Sequence, residues 1–150
     1  MKHKYLVFTS IIILLTIILV GCSPSAQRAK SQQPKARTPI ESDHALAHSV
    51  TQSVERHKAV DQAVTVILDK DISVAIKVSG FDRLRLKQIR EEVNDLIRQM
   101  VGEDYSIHIT TDKRIFRDLK EVAQQLKDSN GIASPQIQNQ VDQLNQDMHG

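Results

Sequence analysis

The residues of this 150-residue chain suited to chemistry are six histidines, one cysteine and several tight groups of acids and bases. His44 and His48 stand four apart, which on a helix puts both imidazoles on one face and suits two ligands of a zinc ion. His57 could add a third, but no HExxH pattern or nearby cysteine completes a site, so the pattern reads better as solvated surface histidines. Asp69-Lys70-Asp71 carries the acids of a calcium loop without its twelve-residue frame, and reads as a turn. Glu91, Glu92 and Asp95 interleave with Arg90 and Arg98 on what the spacing makes a helix exterior. A general acid needs a pocket that shifts its pKa, and these read as a solvated face. No Gly-rich phosphate loop, GxSxG elbow or Ser-His-Asp order occurs. The chain is therefore expected not to be an enzyme, to use no cofactor or metal, and to act on no small-molecule substrate.

Arg83, Arg85, Lys87 and Arg90 form the most informative charged group. The spacing predicts them in the first two turns of a helix, where each close cation opposes the macrodipole by about 0.3–1 kcal/mol. Such a cluster suits an anionic lipid, a cell-wall polymer or an acidic partner. The bland alternative is solubility, helped by Glu91, Glu92 and Asp95.

Cys22 is the lone cysteine, so no disulfide can form within the chain. It closes the run Leu19-Val20-Gly21-Cys22, after Lys2, Lys4 and an apolar stretch from Tyr5 to Val20. A charged start, a short apolar run and a small residue before a cut describe a secretory signal over residues 1–21. The run is short against the ~20 residues of a spanning helix. With cysteine just after the cut, it resembles the lipobox of bacterial lipoproteins. That resemblance implies cleavage after Gly21 and a diacylglyceryl thioether on Cys22, holding the chain at the outer side of a membrane.

Residues 22–42 are proline-containing and lack apolar periodicity, which predicts a tether. Arg28, Lys30, Lys35 and Arg37 make it basic, with no acid from Ser23 to Ile40. Basic residues beside an anionic membrane contribute about 1 kcal/mol each. With no Trp, three Phe and two Tyr, the chain lacks the stacking platforms of single-stranded nucleic acid binding, and no nucleic-acid partner is expected. A core must come from Ile, Leu and Val.

The apolar spacing supplies the elements. Asp43 precedes a helix carrying Leu46, Val50 and Val54, over about His44 to Lys58. Val60 to Leu68 and Ile72 to Val78 read as strands joined by the Asp69-Lys70-Asp71 turn, an antiparallel hairpin. A helix from about Arg83 to Val101 carries Leu86, Ile89, Val93, Leu96, Ile97 and Met100 and stops at Gly102. Tyr105, Ile107 and Ile109 mark a third strand. Thr111 or Asp112 caps a helix with Ile115, Leu119, Val122 and Leu126, stopping near Asn130-Gly131. The predicted fold is α+β, in α-β-β-α-β-α order. Its expected form is a two-layer sandwich in which helices cover one face of a small three-stranded sheet. The domain is placed at 43–130. Residues 131–150 form a Gln/Asn-rich tail, in which Ile137, Val141, Leu144 and Met148 mark either a closing helix or a free arm.

The lipobox, the hairpin from Val60 to Ile76, the long helix ending near Met100, and the run Ile107-His108-Ile109-Thr110-Thr111-Asp112 into Ile115-Phe116 together resemble the YhcN/YlaJ family of sporulation lipoproteins. The likeness covers about Ala45 to Leu126. It implies a protein made in sporulating Gram-positive cells, lipid-anchored to a spore membrane and linked to spore formation or germination. It brings no catalytic residues. The element order also resembles BON domains and the ring-building modules of secretion lipoproteins. Those likenesses imply phospholipid contact and self-association, respectively, and leave protein partners in the spore envelope as the other expectation.

Overall fold

The chain runs β1 (Ile40–Glu41), α1 (His44–Glu55), β2 (Gln62–Leu68), β3 (Asp71–Lys77), a 3-10 segment (Gly80–Arg85), α2 (Leu86–Val101), β4 (Ser106–Thr110), α3 (Lys113–Asp128), β5 (Ile132–Ala133) and α4 (Pro135–Met148). This computed structural model describes residues 37–78 and 80–148. The signal, Cys22 and most of the basic stretch lie outside the described residues.

β2 and β3 form the expected antiparallel hairpin, in register from Gln62↔Lys77 to Leu68↔Asp71. Its two-residue turn needs a left-handed residue, and Asp69 takes that place at φ 54°. β4 joins the other edge of β3 in parallel, from Asp71↔Ser106 to Ala75↔Thr110. A parallel neighbour requires a long crossover, which α2 provides. The sheet order is therefore β2-β3-β4, and β1 pairs with β5 in a separate two-stranded sheet.

The α+β class and the three-stranded sheet are as the sequence predicts, but the helices do not gather on one face. Val50 and Val54 of α1 and Ile89, Val93 and Ile97 of α2 pack with Ile72, Val74 and Ile76. Ile115, Leu119 and Val122 of α3, with Ile137, Val141 and Leu144 of α4, pack with Val64, Val66, Leu68 and Ala75 on the opposite face. The described residues form three layers with two cores. The reason lies in β3, where Ser73 and Ala75 alternate with Ile72, Val74 and Ile76 and look like a solvent face. Both are fully buried at 0 % exposure. A small residue on a strand is ambiguous between solvent and a helix seated close above it. The second core resolves the ambiguity, and β2, apolar at both parities, is the companion signal.

Ser73 is satisfied by the terminal helix. Its hydroxyl donates to Asn145 Oδ1 at 2.6 Å, a buried side-chain bond between β3 and α4. Asn145→Ala would leave that hydroxyl without its partner and is expected to lower stability by about 1–3 kcal/mol, read as a shifted urea midpoint with an unchanged slope.

Both ends of the described chain are fastened. Gln138 Nε2 donates to the Thr38 and Ala133 carbonyls at 2.8 and 3.0 Å, and Arg37 pairs with Asp142 at 2.6 Å. Residues 37–42, which the sequence assigns to the tether, thus lie along α4 and β5. Of the two alternatives for the C-terminal stretch, the structure has the packed helix. α3 ends with Asn130 and Gly131 at φ 53° and 86°, and the Gly131 N–H returns to the Leu126 carbonyl at 2.7 Å. This left-handed stop turns the chain back to pair with β1. A Cβ on Gly131 would lie 2.9 Å from the His44 ring, so that close approach also demands glycine.

Candidate functional site

The basic group falls at a different local structure from the one its spacing suggests. Arg83 and Arg85 precede the α-helix, in the 3-10 segment, and only Lys87 and Arg90 lie within α2. The segment buries nothing: Phe81 is 93 % and Leu84 89 % exposed. With no core beneath it, the stretch has no packing to draw it into the helix stripe. In a 3-10 helix, residues three apart eclipse, so Phe81 and Leu84 stand together on one side. Asp82 and Arg85 obey the same spacing and pair at 2.9 Å. Arg83 Nε donates to the Val78 carbonyl at 3.1 Å, tying the segment to the end of β3. Lys87 extends into solvent, 3.9 Å from Glu91. The result is an exposed apolar pair among four bases, with Asp82 the one acid from Gly80 to Arg90. The sequence reading missed Phe81 and Leu84. A signal was present, because Leu84 lies opposite Leu86, Ile89 and Val93 when the helical angle is extended back to it.

A concave feature follows the outer edge of β2. It is a groove of about 420 Å³ whose lining comes from α1, β2 and α3. Glu55 Oε1 accepts the Ala63 N–H there at 3.1 Å, and Thr65 Oγ1 is buried with no hydrogen-bond partner.

The histidines do not converge. His44 Nε2 lies 3.1 Å from the Ser42 hydroxyl, while His57 Nε2 lies 2.9 Å from Glu92 Oε2 and joins the end of α1 to α2. His108 lies 3.4 Å from Asp71 across the β3–β4 pair. Among the described residues, no three His, Cys, Asp or Glu side chains are grouped to hold a metal ion.

Among the described residues, three groups have shifted pKa values, each chiefly from hydrogen bonds to neighbouring groups. Glu92 is held below the usual carboxylate range, chiefly by the Gln88 amide and then by His57. Asp112, the N-cap of α3, is lowered by the Ile115 and Arg114 N–H groups, and the Arg114 guanidinium is raised by Asp147. A carboxyl lowered in the folded state stabilises it above its unfolded pKa, and that contribution is lost as the pH falls through the folded pKa. Stability is therefore expected to decline through and below the ordinary carboxylate range. Urea midpoints against pH should show this decline, and it should be shallower in the Glu92→Gln, Asp112→Asn double variant.

A cysteine-closed apolar leader, a basic stretch and an α+β domain define the class as a lipoprotein domain. Among the described residues, no helix is long and apolar enough to cross a membrane. The chain belongs to the sporulation lipoprotein YhcN/YlaJ family, whose sequence model matches residues 23–149. The match begins directly after Cys22 and includes α4, so it extends beyond the stretch that carries the resemblance. No curated protein and no solved structure matches the chain.

Proposed function

We propose that this sporulation lipoprotein is a non-catalytic interaction module, anchored through diacylglyceryl-Cys22 on the extracytoplasmic face of a spore membrane and acting in spore formation or germination. In this reading the domain also rests on the anionic lipid surface through its 3-10 segment. The observation that carries the reading is the exposed pair Phe81 and Leu84 set among Arg83, Arg85, Lys87 and Arg90. An apolar wedge ringed by cations suits a headgroup boundary, where acyl chains take the wedge and anionic headgroups the cations. The non-catalytic reading is supported by the three shifted groups, whose causes are a cap, a helix-surface bond and surface pairing.

The test uses the mature chain with Cys22→Ser, so that lipid anchoring does not mask weaker contacts. It should bind vesicles rich in phosphatidylglycerol, bind phosphatidylcholine vesicles far less, and lose affinity with salt. Arg83→Glu with Lys87→Glu should weaken binding at least about 30-fold, given about 1 kcal/mol per cation near the surface. Equal binding to neutral vesicles, or no effect of the reversal, would exclude the lipid-contact reading.

A further inference from the structure

β2 is an edge strand without the usual guards. The stretch from Gln62 to Leu68 contains no charge and no proline, and most of it is β-branched or otherwise apolar. Strands of this kind pair readily with other chains unless they are shortened, charged or covered. Here α1 lies on one face and α3 on the other, and the edge forms the floor of the groove between them.

The backbone geometry of the floor is set by the hairpin. Leu68↔Asp71 closes a two-residue turn, so the even residues of β2 exchange hydrogen bonds with β3 and the odd ones face outward. The Ala63 N–H confirms the phase, since it leaves the ladder for Glu55. Thr65 and Ile67 therefore turn their backbone groups into the groove. At the far end, Ser42 makes a single antiparallel bridge with Leu68. The edge is thus met by a carboxylate at one end and a bridging residue at the other. Between them lies Thr65, 7 % exposed, with a hydroxyl that has no partner.

We infer that this groove takes an extended peptide segment of a partner protein as an added strand on β2. Side chains of an added strand alternate between the two walls. One wall carries Glu55 and Asp43, and the other carries Lys120 and Lys127 beside Phe116. The segment it fits has basic residues at alternate positions, facing α1, with acidic or apolar residues between them, facing α3. A second copy fits poorly because its own β2 edge is walled by the same two helices. An acyl chain could fill the apolar part but would leave the outward N–H groups without acceptors. This inference is independent of the lipid-contact reading, since the 3-10 segment does not line the groove.

The test uses the full chain in detergent and a blocked octapeptide alternating Lys with Val and Glu. Saturable binding is expected, with amide exchange at the outward-facing Thr65 and Ile67 slowed at least about ten-fold. A scrambled peptide of the same composition and a version N-methylated at alternate residues should both fail. Glu55→Lys should reverse the preference, weakening this probe and favouring one with Glu in place of Lys. Equal binding of the scrambled peptide, or binding without protection at Thr65 and Ile67, overturns the inference. So does protection without any probe, either in a dimer (a second copy as occupant) or lost on deleting residues 23–36 (this chain's own segment).

Discussion

Truncation after Ala133 is expected to abolish cooperative folding of the domain. α4 places Ile137, Val141 and Leu144 in the second core. Each buried side chain contributes about 1.5–3 kcal/mol, so their loss together removes about 5–9 kcal/mol. A domain of this size has a total stability of about 5–15 kcal/mol. The same cut orphans the Ser73 hydroxyl, which has Asn145 as its partner. It also removes Gln138, whose amide holds Thr38 and Ala133 where β1 and β5 pair. These losses act on one face and reinforce one another, so the remaining margin is small or negative. Far-ultraviolet circular dichroism and urea unfolding check this: the shortened chain should lack a cooperative transition. A transition within about 1 kcal/mol of the intact protein would mean that α4 contributes little to the fold.

The weak reading of α4 shows how far the sequence carries. Elements with a wide apolar stripe, such as α2 and α3, were legible, although α2 starts at Leu86 and not at Arg83. Asp43 and Asp112 both cap the helices they precede, accepting from Leu46 and from Arg114 and Ile115. α4 has a narrow stripe, and its remaining positions are amides that composition assigns to solvent. Gln138 and Asn145 are buried because each has a specific partner far away in sequence. A side chain's long-range partner cannot be read from local periodicity. The same limit explains the missing layer, because Ser73 and Ala75 reveal a packed face only once α3 and α4 are seated on it. For the basic cluster the residues were legible from charge alone. The exposed pair beside them was legible only in part: Leu84 falls off the apolar stripe of α2, but nothing local to Phe81 says that no core lies beneath it.

That exposed pair is expected to contribute to the proposed lipid contact on the same scale as the cations around it. Partial burial of Phe81 and Leu84 in a headgroup boundary draws on a potential of about 1.5–3 kcal/mol for each side chain. Each nearby cation contributes about 1 kcal/mol and is screened by salt. Phe81→Ser with Leu84→Ser is therefore expected to weaken vesicle binding by the Cys22→Ser chain on the order of 100-fold. The remaining binding should keep its salt dependence, whereas reversal of Arg83 and Lys87 should flatten it. The melting temperature should not move, because both side chains already face water at 93 % and 89 % exposure. That separates loss of a contact from damage to the fold. On the lipidated protein the same substitutions should leave fractionation with membranes unchanged. Residues 23–36 cannot hold the domain more than about 50 Å from the anchor, and a tether of that length raises the effective surface concentration into the range where weak contacts are occupied. The wedge then decides whether the domain lies on the surface or stands off it, which a fluorescence quencher at the headgroup level would report from a dye at the exposed position 88. Full vesicle affinity in the double variant would mean that Phe81 and Leu84 stay out of the lipid and that the cations alone carry the binding.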